Sequence, residues 1–180
     1  MTTYIVLLRG VMPTGKNRVP MAQLREVLSE AGFAGVRTWI QSGNAILRTD
    51  MAPKALETRV SELIRTHIGA DLAVAVRTAA EVRQILDGNP FTADDDDLSR
   101  VFFVTLIDAP SPEKTAALLA QDFSSERLVI TPYAAYMYVP DTYGRGKLSN
   151  NFLEKKLGVA ATTRNFNTLR KMVEMAEEGE

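Results

Sequence analysis

Seven basic side chains, Arg145, Lys147, Lys155, Lys156, Arg164, Arg170 and Lys171, fall between Gly144 and Lys171 against a single acid, Glu154. The local charge is +6, while 14 basic and 21 acidic residues leave the rest of the chain at −7. Such segregation in a chain of net charge −1 points to a negatively charged partner, and holding an oxyanion is the chemistry these side chains do best. Position narrows which cations matter. Asn151 and Glu154 read as an N-cap and capping-box pair for a helix from Asn151 to Leu157, with Arg145 and Lys147 just upstream on its positive end. Thr162, Thr163 and Asn165 read as caps for a last helix from about Arg164 to Ala176, which puts Arg164 in its first turn. A cation there opposes the helix dipole by about 0.3–1 kcal/mol. A bound phosphate would reverse that sign, because orphan helix N–H groups and a guanidinium fork both suit it. Arg145, Lys147, Ser149, Asn150, Arg164 and Asn165 are therefore the primary candidate anion site. The competing reading is a solvated charged face, or pairing with the acids Asp94 to Asp97.

Arg9, Lys16, Gln41 and Asn44 are possible second contributors. Gly10 to Asn17, GVMPTGKN, comes within one residue of the phosphate-binding pattern G-x-x-x-x-G-K-[ST], and VFFVTLID ending at Asp108 looks like a strand delivering a metal-binding acid. The pattern needs a hydroxyl directly after the lysine and a helix that begins there, but Asn17 stands in the first place and the helix waits until Pro20. A β-to-α loop whose Lys16 and Arg18 contact an anion without hydrolysis, or are merely solvated, fits better. Gln41, Ser42, Gly43 and Asn44 offer amides and a hydroxyl beside a glycine, and are equally the residues that make a tight turn. His67 stands alone and the chain has no cysteine, so no metal site or cofactor is called for, and a thiolate nucleophile is excluded. Asp94 to Asp97 lacks the glycine and distant glutamate of a calcium loop and reads as a solvated acidic loop. Tyr133, Tyr136, Tyr138 and Tyr143 read mainly as core; exposed on one sheet face, Tyr136 and Tyr138 would instead stack bases.

The elements that must position these residues follow from hydrophobic periodicity. Tyr4 to Leu8 is a short continuous apolar run, hence a buried strand. Pro20 opens a helix marked by Met21, Leu24, Leu28 and Ala31 and ended by Gly32. Val36 to Ile40 and Ala45 to Arg48 form a hairpin across Gln41 to Asn44. A helix opened by Asp50 or Pro53 carries Leu56, Val60, Leu63 and Ile64 on one face, and Leu72 to Val76 is a fourth strand. The order β-α-β-β-α-β is the split βαβ, ferredoxin-like plan, with four mostly antiparallel strands and both helices on one face. Beyond it come a helix from Thr78 to Leu86, a strand from Val101 to Ile107, a helix from Ser111 to Ala120, a hairpin of Arg127 to Ile130 and Tyr136 to Val139, and the two basic helices. The expected domains are thus residues 1–77, ferredoxin-like α+β, and 78–180, a smaller α+β unit of similar element order with two C-terminal helices.

A content of 46% hydrophobic residues in 180 is ample for a core. The short apolar run after Met1 has no basic flank or cleavage pattern, and no run nears the ~18 residues of a membrane helix. The chain is expected to be soluble and cytoplasmic, without a membrane partner.

Together, YIVLLRG, GKN and VPM (residues 4–21), WIQSGN (39–44), NPF (89–91) and the stretch from Gly144 to Lys171 give the chain a resemblance to an uncharacterised bacterial family, domain of unknown function 1697. The chain departs from it in VMPTG, where the family's loop is richer in glycine, and in Trp39, where tyrosine is common. The resemblance implies a ferredoxin-like α+β fold followed by a second α/β part, and no activity. From the residues themselves the expected function is binding of a phosphate-bearing ligand, either nucleic acid or a nucleotide-like small molecule. The alternatives are an enzyme acting on a phosphorylated or carboxylated small molecule, and a protein–protein interaction module or dimer. A pI near 5.9 speaks against broad non-specific nucleic-acid binding.

Overall fold

The computed structural model describes residues 1–132 and 134–178; Tyr133 lies outside the described residues. The chain forms two compact units, residues 1–83 joined by the described residues from 170 onward, and residues 84–169. The first contains β1 (Thr2–Leu8), α1 (Met21–Glu30), β2 (Ala34–Trp39), β3 (Asn44–Thr49), α2 (Pro53–His67) and β4 (Val74–Arg77), in a sheet of order β2-β3-β1-β4 with every neighbouring pair antiparallel. Alternation along β1 sends Tyr4, Val6 and Leu8 to one core with Leu24 and Leu28 of α1 and Leu56, Val60 and Ile64 of α2. Ile5, Leu7, Ile46 and Ala75, on the other face, are buried as well, which is why β1 reads as a continuous apolar run.

The tip of the β2–β3 hairpin is built for closure. Leu8 N–H donates to Gly43 O at 2.8 Å, and Gly43 has φ +83 with its missing Cβ position 2.7 Å from both Leu8 Cβ and Val11 Cγ2. Gly43→Ala combines left-handed strain with overpacking, and is expected to lower the unfolding free energy by about 2–4 kcal/mol, read as a shifted urea midpoint.

Next come α3 (Ala79–Asp87), β5 (Val101–Leu106) after a single 3-10 turn, α4 (Pro112–Leu119), β6 (Arg127–Ile130), β7 (Ala135–Tyr138), α5 (Asn150–Leu157), β8 (Ala161–Asn165) and α6 (Phe166–Glu177). The second sheet has the order β6-β7-β5-β8, again antiparallel throughout. Counted within its own unit this is second-third-first-fourth, the order of the first sheet. The resemblance between the units is architectural, carried by element order with different residues. Val104, Leu106, Ala135 and Met137 pack with Leu118 of α4 and Leu153 and Leu157 of α5.

Two expectations change here. Residues Ala161–Asn165 are a strand, so Arg164 lies in β8 opposite Phe103 and not in the first turn of a helix. The β-branched pair Thr162 and Thr163, read as caps, instead suits a pleated edge. Helix α5 is capped by Ser149, whose Oγ accepts from Phe152 N at 3.2 Å, so the cap stands two residues before Asn151, and Glu154 accepts from Ala161 N. Residues from 170 group with the first compact unit, where Arg37 donates to Met175 O and Arg83 pairs with Glu177.

The acidic loop is ordered by partners. Asp96 accepts from Ala93 N and pairs with Arg127, whose guanidinium lies 4.8 Å from the Phe91 ring centroid and 4.2 Å from that of Tyr138. Asp97 accepts from the Ser99 hydroxyl and N–H, which holds its carboxyl below the usual range. These acids thus pair outside the basic stretch. Tyr136 is 1% exposed and donates to Ile85 O, so it belongs to the core.

Candidate functional site

Two loops of the second unit, residues 122–126 after α4 and 141–147 after β7, enclose a pocket of about 440 Å³. The first is set by an Asx turn: Asp122 Oδ1 accepts from Ser124 N at 2.9 Å, and Ser124 sits at φ +57, a left-handed conformation rare for a residue with a Cβ. The second turns at Gly144, φ +84, and closes with Arg145 N donating to Thr142 O at 3.1 Å. Glu126 joins the loops. Its Oε2 accepts from Lys147 N at 2.8 Å and from Leu148 N at 2.9 Å. Gly146 makes that approach feasible, since a Cβ there would stand 2.1 Å from Glu126 Oε1.

Arg145 and Lys147 line this pocket together with Asp122, Phe123, Glu126 and Asp141. Lys147 is held by donation from Nζ to Asp122 O at 3.2 Å and by the Phe123 ring, 5.3 Å from Nζ. Arg145 is exposed, and among the described residues its guanidinium has no hydrogen-bond or ion-pair partner. Ser149 and Asn150 follow at the start of α5. Asn150 donates from Nδ2 to Ala161 O at 3.0 Å, accepts from the Thr163 hydroxyl at 2.9 Å, and donates its N–H to Tyr143 Oη. It therefore ties the helix start to β8.

Arg164 donates to Thr162 Oγ1 and Thr163 O at 2.6 and 2.9 Å, and burial pushes its guanidinium down to about 10. Asn165 caps α6 by accepting from Thr168 N at 2.9 Å. The four remaining candidates lie in the first unit. Arg9 follows β1 and its N–H donates to Ala73 O, while Lys16 is exposed in a loop closed by Met12 N to Asn17 O. Gln41 Oε1 accepts from Met21 N at the start of α1, and Asn44, fully buried, donates to Trp39 O and Ser42 Oγ. Gln41 and Asn44 thus hold the hairpin tip and the first helix. Helix α1 starts at Met21 on an antiparallel sheet, so Lys16 is not at a helix N-terminus as a nucleotide-hydrolysing loop requires.

Glu126, Gly146 and the Asp122–Phe123 wall were not singled out from the sequence. Glu126 is twenty-odd residues from Lys147 along the chain, across the β6–β7 hairpin. The one local signal was the glycine on either side of Arg145. Among the described residues no three His, Cys, Asp or Glu side chains are grouped to hold a metal ion, and no helix is long and apolar enough to cross a membrane.

Comparison with known proteins gives the fold a context. The conserved bacterial protein SP0830 from Streptococcus pneumoniae matches with a TM-score of 0.71 over 97% of this chain and 98% of its own, at 22% sequence identity, a likeness of fold alone. No curated protein matches. The model of the family described as "Protein of unknown function (DUF1697)" matches residues 1–136, from β1 through the loop that carries Glu126 and into β7. Over three quarters of its length, therefore, the chain belongs to the DUF1697 family.

Proposed function

We propose that the protein binds a small phosphate-bearing ligand in the pocket between residues 122–126 and 141–147, with Arg145 and Lys147 holding the anion, on two units that each follow the ferredoxin-like plan. The observation that carries this reading is that Arg145, without a partner among the described residues, lines the same 440 Å³ pocket as an ammonium group already fixed in place. That volume is of small-ligand size. A guanidinium fork beside a lysine is a favourable arrangement for a phosphate oxyanion. Ser149 and Asn150 support the wall through α5 and β8. In the first unit the functional groups of Gln41 and Asn44 are bonded within their own loop and helix, so the reading centres on the second unit. The cysteine-free, mildly acidic composition fits a cytoplasmic protein that binds a discrete molecule rather than nucleic acid.

Calorimetric titration with inorganic phosphate and a 5′-mononucleotide at low salt tests the reading. Each charge-assisted contact contributes about 1.5–3 kcal/mol, so Arg145→Ala and Lys147→Ala should each weaken binding about tenfold or more. Affinity should fall only gently with salt, whereas an oligonucleotide bound along many phosphates would show a steep slope. Absence of binding, or affinities untouched by both substitutions, would sink the proposal.

A further inference from the structure

We infer that the ligand of this pocket is a phosphate monoester that also carries a protonated amine, with Glu126 receiving the ammonium; this rests on the phosphate reading above and names its substrate class. The Glu126 side chain is built into the pocket wall with only 9% of the residue exposed. One carboxylate oxygen, Oε2, takes two backbone N–H groups. The other, Oε1, is buried and has no donor among the described residues. A buried carboxylate oxygen without a donor is among the costlier polar groups a fold can keep, so a donor arriving with the ligand would gain the whole interaction.

Charge leads to the same class. The lining holds Asp122, Glu126 and Asp141 against Arg145 and Lys147. Two cations match a phosphate dianion, and the three acidic residues of the lining exceed those cations by one charge. A plain phosphate monoester would meet that excess as repulsion, and an ammonium group on the same molecule would meet it as attraction. Gly146 covers Oε1 with backbone alone, and the segment from Gly144 to Gly146 has a glycine on each side of Arg145. For the ammonium to reach Oε1 the Gly144–Gly146 segment must turn aside, and the glycines on either side of Arg145 leave its backbone the freedom to do so.

The test compares O-phosphoethanolamine, ethyl phosphate and inorganic phosphate by calorimetry on the full chain and on Glu126→Gln. The amide keeps an oxygen for the two backbone N–H groups and puts an NH₂ donor where Oε1 stood. Expected are a preference of the wild-type protein for phosphoethanolamine over ethyl phosphate of at least tenfold, and its loss in Glu126→Gln, with ethyl phosphate bound no more weakly than by the wild type because one repelling carboxylate is gone. Equal or tighter binding of ethyl phosphate by the wild-type protein overturns the amine assignment and leaves the phosphate reading standing; this arm needs no variant, so poor folding of Glu126→Gln does not spoil it. An amine preference that survives in folded Glu126→Gln overturns the role of Glu126. If none of the three phosphates binds, the phosphate reading itself falls.

Discussion

Gly146→Ala is expected to destabilise the second unit by about 3 kcal/mol or more, from overpacking of about 1–3 and the loss of hydrogen bonds to a charged group at about 1.5–3 each. The added methyl would lie 2.1 Å from Glu126 Oε1 and 2.4 Å from its Cδ, so the carboxylate must leave. Leaving breaks both bonds to Oε2 and strands the N–H of Leu148, a fully buried residue. A side chain at a free surface would swing aside at little cost; Glu126 is anchored between two loops and has no such freedom. The cause is separable by a double-mutant cycle in denaturant. In a Glu126→Ala background the same glycine substitution meets no carboxylate, and should cost less than about 1 kcal/mol. Additive effects would show that Gly146 is required for its backbone conformation and not for its proximity to Glu126.

Tyr136 should give the other large effect. It is 1% exposed, its hydroxyl donates to Ile85 O at 2.7 Å, and its ring meets the edge of Phe103 with centroids 5.7 Å apart. Tyr136→Ala removes a large buried ring and is expected to cost about 3–5 kcal/mol. Tyr136→Phe keeps the ring, and should cost about 1–2 kcal/mol because Ile85 O is left without its donor. The two variants therefore divide packing from hydrogen bonding. Alkaline pH gives an independent check. Burial pushes the Tyr136 phenol above its ordinary value of 10, because the folded protein disfavours the phenolate. A raised acid contributes stability below pH 10 that is lost as pH climbs from 10 through the raised value. Urea midpoints measured on either side of pH 10 should fall more steeply for the wild type than for Tyr136→Phe; parallel curves would mean that Tyr136 is not the titrating group.

The positions of most elements were legible in the chain because their signals are local. Tyr4 to Leu8 is apolar on every residue, as a strand buried on both faces must be, and Leu56, Val60, Leu63 and Ile64 recur at helical spacing. Pro20, Gly32 and Pro53 punctuate helices by backbone chemistry that needs no partner. Strand β8 was hidden for the opposite reason. Five residues, ATTRN, have no periodicity long enough to read, and they become a strand only by pairing with β5 some sixty residues earlier.

The candidate site divides in the same way. Sequence by itself determined the charge asymmetry, the order of elements in the first unit, the likeness to DUF1697 and the presence of Arg145 and Lys147 just ahead of a helix, since all of these are properties of neighbouring residues. Tertiary structure decided which of the cations face a pocket, because that depends on how loops distant in sequence meet. It put Arg164 on a strand and Arg145 and Lys147 into a pocket wall, and it brought Glu126 to the backbone of Lys147 and Leu148. A carboxylate and the N–H groups that bind it carry no joint signature along the chain. Only closure of the β6–β7 hairpin makes them neighbours, and only a glycine at 146 lets them approach.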